Sequence, residues 1–103
     1  MKRIELPTRR IHIRHGNGSS TLATRVVLNG IALEALDPDQ CRLVADWMAA
    51  HVEDYRDGTG EINRTQLAEA ACAEFDLYQG PHAAIPDDLF ELSHAVAVAA
   101  ERE

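Results

Sequence analysis

Three groups of side chains in this sequence are spaced to do chemistry. Arg10, His12 and Arg14 alternate with Ile11 and Ile13, so an extended backbone puts the polar groups on one side and the isoleucines on the other. Joined by Arg25 from across a hairpin, they make a cationic patch suited to phosphate or another anion. The second group is acidic: Asp46, Glu53, Asp54, Asp57 and Glu61 open a run of carboxylates that continues through Glu69, Glu74, Asp76, Asp87, Asp88 and Glu91. Such a field steers a protein toward basic partners. The third group consists of isolated titratable residues. Cys41 and Cys72 form no C-x-x-C pair and no zinc spacing, and His51, His82 and His94 have no evident companions. Cys41 lies near a helix start, where the dipole favours a thiolate, but no base is placed beside it. No Ser-His-Asp or Cys-His order, P-loop or dinucleotide fingerprint is present. A catalytic centre needs paired roles, so the expectation is a binding protein with no cofactor and no metal, not an enzyme.

The charge is divided between the two parts of the chain. Before Asp37 there are six basic and two acidic residues, giving +4; from Asp37 on there are four basic and fifteen acidic, giving −11, for a net charge of −7. The 103 residues suffice for one domain spanning 1–103, and 46% hydrophobic with 26% charged residues fits a globular protein. Aromatics are only 5%, so the core must be built from Leu, Val, Ile and Ala. The opening MKRIELPTRRIHIRHG is charged throughout and lacks the apolar segment of a signal peptide. No stretch approaches the ~20 apolar residues of a membrane span, so the cytoplasm is the expected location.

The elements that must hold these groups read as α+β. A strand is expected over about 9–15, a turn over GNGSS at 16–20, and a second strand over 21–28. Asn29-Gly30 is a hairpin signal, returning the chain as a third strand over 31–35. Three helices follow, at about 38–56, 63–77 and 86–101. The first is the best marked: Asp37 caps it, Pro38 takes its first position, and Gln40 completes a capping box. Leu43, Val44, Trp47, Met48, His51, Val52 and Tyr55 then form one stripe. That stripe serves a core or a homodimer seam equally well. The second helix carries Leu67, Ala70, Ala71, Phe75 and Tyr78 on a narrow face; the third buries Leu89, Leu92, Val96 and Ala100.

Some stretches resemble known families. With Ile62 at its eighth position, the loop YRDGTGEINRTQL resembles the EF-hand pattern D-x-D-x-D-G-x-I-x-x-x-E. The resemblance places Asp57, Thr59, the Glu61 carbonyl and Asn63 at ligand positions three, five, seven and nine. Tyr55 replaces the first Asp, and Gln66 replaces the bidentate Glu. RTQLAEAACAEFDLY is similar to the first helix of a helix-turn-helix, but the next helix opens IPDDLFEL, which phosphate repels. The opening MKRIELPTRRIHIRHGNGSS resembles those of small accessory proteins of prophages and mobile elements. That resemblance implies a non-enzymatic role, binding and blocking a host protein, including host defence complexes. The leading expectation is an interaction module whose Asp46/Glu53/Asp54/Asp57/Glu61 surface meets a basic protein. The alternatives are a nucleic-acid-associated protein using the Arg10/His12/Arg14/Arg25 patch, and an EF-hand-like metal-binding module.

Overall fold

The computed structural model describes residues 3–102 of the chain. Strands β1 (Thr8–Arg14), β2 (Ser20–Leu28) and β3 (Ile31–Ala32) form an antiparallel sheet in the order β1-β2-β3. Helices α1 (Pro38–His51), α2 (Arg64–Phe75) and α3 (Asp87–Glu101) follow. This is the α+β arrangement expected from the sequence. Asn29 and Gly30 join β2 to β3 with φ of 52° and 79°, the paired positive values of a two-residue hairpin turn. β3 is two residues long, short of the expected 31–35; beyond it the Leu33 N–H still donates to the Val26 carbonyl of β2 at 2.8 Å, while the Leu33 side chain is buried in the core. Residues 4–7, IELP, precede β1 without strand geometry, although the Pro7 carbonyl accepts the Val27 N–H at 2.8 Å. Ile4 and Leu6 pack against the core, and the Ile4 carbonyl is held by Arg42 at 2.9 Å.

Helix α1 begins as its sequence dictates. The Asp37 carboxylate accepts the Gln40 N–H at 2.8 Å, while the Gln40 side chain accepts the Asp37 N–H at 3.0 Å. The α-helix ends at His51, and the rest of the expected 38–56 span is a 3-10 turn, Val52–Tyr55. Asn63 caps α2 through the Gln66 N–H, and Asp76, in the left-handed conformation, ends it.

The three helices and the root of the sheet share one aliphatic core. Val26, Leu28 and Leu33 meet Val44, Met48 and Val52 of the first helical segment, Leu67 and Ala71 of α2, and Leu89, Leu92 and Val96 of α3. The stripes of α2 and α3 contain small residues, Ala68, Ala71 and Cys72 on one and Ala97 and Ala100 on the other, which lets these helices approach closely. The inward stripe of α1 is Cys41, Val44, Ala45, Met48 and then Val52. It is rotated from the expected one: Leu43 is 61% exposed, and Trp47 lies at the rim, stacked on His51 and edge-on to Phe75. Likewise Ala68 and Cys72 replace Ala70 and Tyr78 on the inward face of α2.

The core and its fringe take in no residue between Leu6 and Val26. β1 and most of β2 therefore form a two-stranded arm outside the helical body, in a molecule measuring 49 × 30 × 18 Å. Among the described residues β1 is an edge strand, paired with β2 alone.

Candidate functional site

The arm has a defined register: Arg9 pairs with Arg25, Arg10 with Thr24, Ile11 with Ala23, His12 with Leu22, Ile13 with Thr21 and Arg14 with Ser20. Partners in an antiparallel ladder project to the same side. One side of the arm therefore carries Arg10, His12, Arg14 and the 43% exposed Leu22. The other carries Arg9, Ile11, Ile13, Ala23 and Arg25. The expected grouping of Arg25 with Arg10, His12 and Arg14 is corrected by this register: Arg25 lies on the opposite side, where Arg9 faces it. Its guanidinium donates to the Thr24 and Glu34 carbonyls. Arg9 was not visible as a partner because it shares the phase of Ile11 and Ile13, and only the register across the turn places it beside Arg25.

The tip of the arm is a local hydrogen-bonded structure. The Asn17 side chain accepts from the N–H and hydroxyl of Ser19, the His15 N–H reaches the Ser19 carbonyl at 2.8 Å, and Gly18 supplies a φ of 85°. The His15 ring lies 2.8 Å from the Thr21 hydroxyl. No acidic residue occurs between Glu5 and Glu34. Among the described residues, no carboxylate pairs with Arg9, Arg10 or Arg14.

The acidic group is arranged differently. Asp46 is gripped by Arg3 through two hydrogen bonds of 3.2 and 3.0 Å and by Arg42 at 3.1 Å. The Arg3 bond above all holds its carboxyl below the ordinary range. Glu53 is held by Arg56 in the same two-pronged way, at 2.7 and 2.8 Å, and its carboxyl is lowered for that reason. Asp57 is occupied by its own loop: one oxygen accepts the Thr59 hydroxyl, the Thr59 N–H and the Glu61 N–H, which lowers its carboxyl too. The Glu61 carbonyl, at the seventh position of the EF-hand-like loop, accepts the Asp57 N–H at 2.8 Å. Of the five carboxylates expected to meet a basic partner, Asp54 and Glu61 alone have side chains outside such contacts among the described residues. Further along, Arg64 reaches Glu101 at 2.6 Å and also contacts His94.

Both thiols are free and buried. Cys41 is fully buried, and desolvation, helped by the nearby Asp88 and Asp37 charges, pushes its thiol up to about 12. That reverses the effect expected of a helix start. Burial raises the Cys72 thiol as well. His51 sits 2.8 Å from the Trp47 carbonyl through Nδ1, a local partner within the helix. Among the described residues, no group of three or more His, Cys, Asp or Glu converges to hold a metal ion. Among the same residues, no helix is long and apolar enough to cross a membrane. Comparison with protein-family models, curated proteins and solved structures gives no match.

Proposed function

We propose that this chain is a binding module that grips a polyanion, nucleic acid through its phosphates, with the β1–β2 arm. The observation that carries the reading is the set of arginines on both sides of an exposed ribbon, unanswered by any carboxylate of the arm. A two-stranded ribbon is narrow enough for the major groove, about 12 Å wide. The arm has no Phe, Tyr or Trp, so base stacking contributes nothing and sequence preference is weak. The acidic body keeps the net charge negative, so the arm alone approaches the duplex. The alternative, a carboxylate surface docking on a basic protein, is less well supported because Asp46, Glu53 and Asp57 already have partners within the chain.

The test is fluorescence anisotropy with labelled duplex and single-stranded DNA over a salt series. With Arg9, Arg10 and Arg14 on phosphates, log K falls against log salt with a slope of about −3. Arg10→Ala/Arg14→Ala reduces that slope by about 2. Absence of binding at low salt, or a slope untouched by the double substitution, refutes the proposal.

A further inference from the structure

We infer that the helical body carries a receptor groove for the basic arm of a second copy of this chain. The groove, of about 470 Å³, lies where β3 meets the start of α3. Its apolar walls include Ile31 and Phe90, which are 49% and 37% exposed. Glu34, Asp87 and Glu91 also line it; Arg25 bonds the Glu34 backbone carbonyl, but among the described residues no Arg or Lys side chain pairs with the carboxylates of these three. The arm has the complementary character. Arg10 and Arg14 flank His12 on one side of it, and Leu22 stands exposed between them. Of the five large hydrophobic residues left exposed among the described residues, Ile31 and Phe90 line the groove and Leu22 sits on the arm. An arginine entering the groove meets carboxylates for its charge and the Phe90 ring for its guanidinium plane, and Leu22 finds apolar walls.

The outer part of the arm, with Leu22 and Arg14, cannot fill its own groove. β3 is paired to Val27 and Leu28 at the root of the arm, where Arg25 reaches Glu34 through its backbone carbonyl; at about 3.4 Å per residue Leu22 lies about 17 Å and the Arg14–Ser20 pair about 24 Å beyond Val27. The occupant is therefore another molecule. The contact joins unlike surfaces, so it propagates head to tail or closes into a ring. Each chain carries −7, but the screening length is about 8 Å at physiological salt, so the local match of opposite charges governs the contact. The same arm is assigned to nucleic acid above. This inference does not rest on that assignment, because the groove lies on the body.

The experiment is analytical ultracentrifugation of the full chain over concentration at low salt and at 1 M salt, with two charge-reversed variants. The wild type is expected to sediment as more than one chain at low salt and as single chains at 1 M, where screening acts over about 3 Å. The groove variant Glu34→Lys/Glu91→Lys and the arm variant Arg10→Glu/Arg14→Glu each remain single chains. An equimolar mixture regains association, because an intact arm meets an intact groove. This rescue also shows that both variants are folded. A wild type that stays a single chain at low salt overturns the inference, as does a groove variant that associates like wild type, or a mixture without rescue. DNA binding measured on the same proteins separates the two readings: the groove variant retains it if the arm binds phosphate, whether or not association is seen.

Discussion

Asp88 gives a sharp test of how the sheet is fastened to the helices. It lies in the first turn of α3, is 7% exposed, and accepts the Leu36 N–H at 2.8 Å across 52 residues of sequence. Pro86, at the cap position, offers no side-chain acceptor, so the Asp88 carboxylate serves both the helix start and the segment between β3 and α1. Asp88→Ala strips a buried N–H of its acceptor, at about 1–3 kcal/mol, and removes a favourable charge from the helix start, at about 0.3–1 kcal/mol. Relief of the buried charge offsets part of this, leaving a net loss of about 1–3 kcal/mol. For a domain of this size that lowers the melting temperature by roughly 4–8 °C per kcal/mol. Asp88→Asn keeps an acceptor oxygen without the charge. Burial raises the Asp88 carboxyl above its ordinary value, although the Leu36 and Ala35 N–H groups pull the other way. The folded state thus binds this proton more tightly than the unfolded chain. Its contribution is favourable at low pH and is lost as pH rises through the folded value. Asp88→Asn is therefore at least as stable as wild type at neutral pH, and the two converge in acid. Urea unfolding followed by the fluorescence of Trp47, the single tryptophan, reads all three proteins. An alanine variant as stable as wild type, or an asparagine variant as damaged as the alanine one, refutes the reasoning.

The same assay checks the phase of the helices: Leu67→Ala costs about 2–5 kcal/mol at its fully buried site, whereas Leu43→Ala, on the solvent side of α1, stays within about 0.5 kcal/mol. The lowered Asp46 and Glu53 carboxyls add stability above the ordinary carboxylate range and lose it as pH falls through their folded values. Removing Arg3 and Arg56 together, in Arg3→Ala/Arg56→Ala, leaves Arg42 on Asp46 and flattens the acid limb of a stability–pH curve by a small margin, since these pairs are largely solvated. Millimolar calcium leaves the melting temperature unchanged, because Asp57 is the sole carboxylate side chain among the matched EF-hand-like ligand positions and the loop already uses one of its oxygens three times.

Features set by neighbours in sequence were legible in advance. The Asp37–Gln40 capping box, the Asn29-Gly30 turn and the Leu89/Leu92/Val96/Ala100 stripe depend on spacings of four residues or fewer, and each appears as read. Features set by tertiary geometry were not. Leu43 fits the periodicity of α1, yet the smaller Cys41 and Ala45 take the inward positions, because a helix packed among close neighbours has room there for small side chains. The side occupied by Arg25 depends on the residue count around the arm's turn, and a shift of one residue reverses it. The Arg3–Asp46 pair spans 43 residues, and the Glu34 groove meets α3 only in the folded chain. Within the acidic stretch the Arg42–Asp46 and Glu53–Arg56 pairs are local, four and three residues apart, whereas the Arg3 grip on Asp46 exists only in the folded chain.

Among the described residues no strand pairs with the outer rim of β1 along Thr8–Arg14, and such an open edge is the template on which fibrils grow by strand addition. Three guanidinium groups along so short a segment make a stack of identical copies electrostatically unfavourable. Neutralising Arg9, Arg10 and Arg14 together would remove that guard as well as any grip on phosphate, and the resulting chain would be prone to deposit as cross-β aggregates.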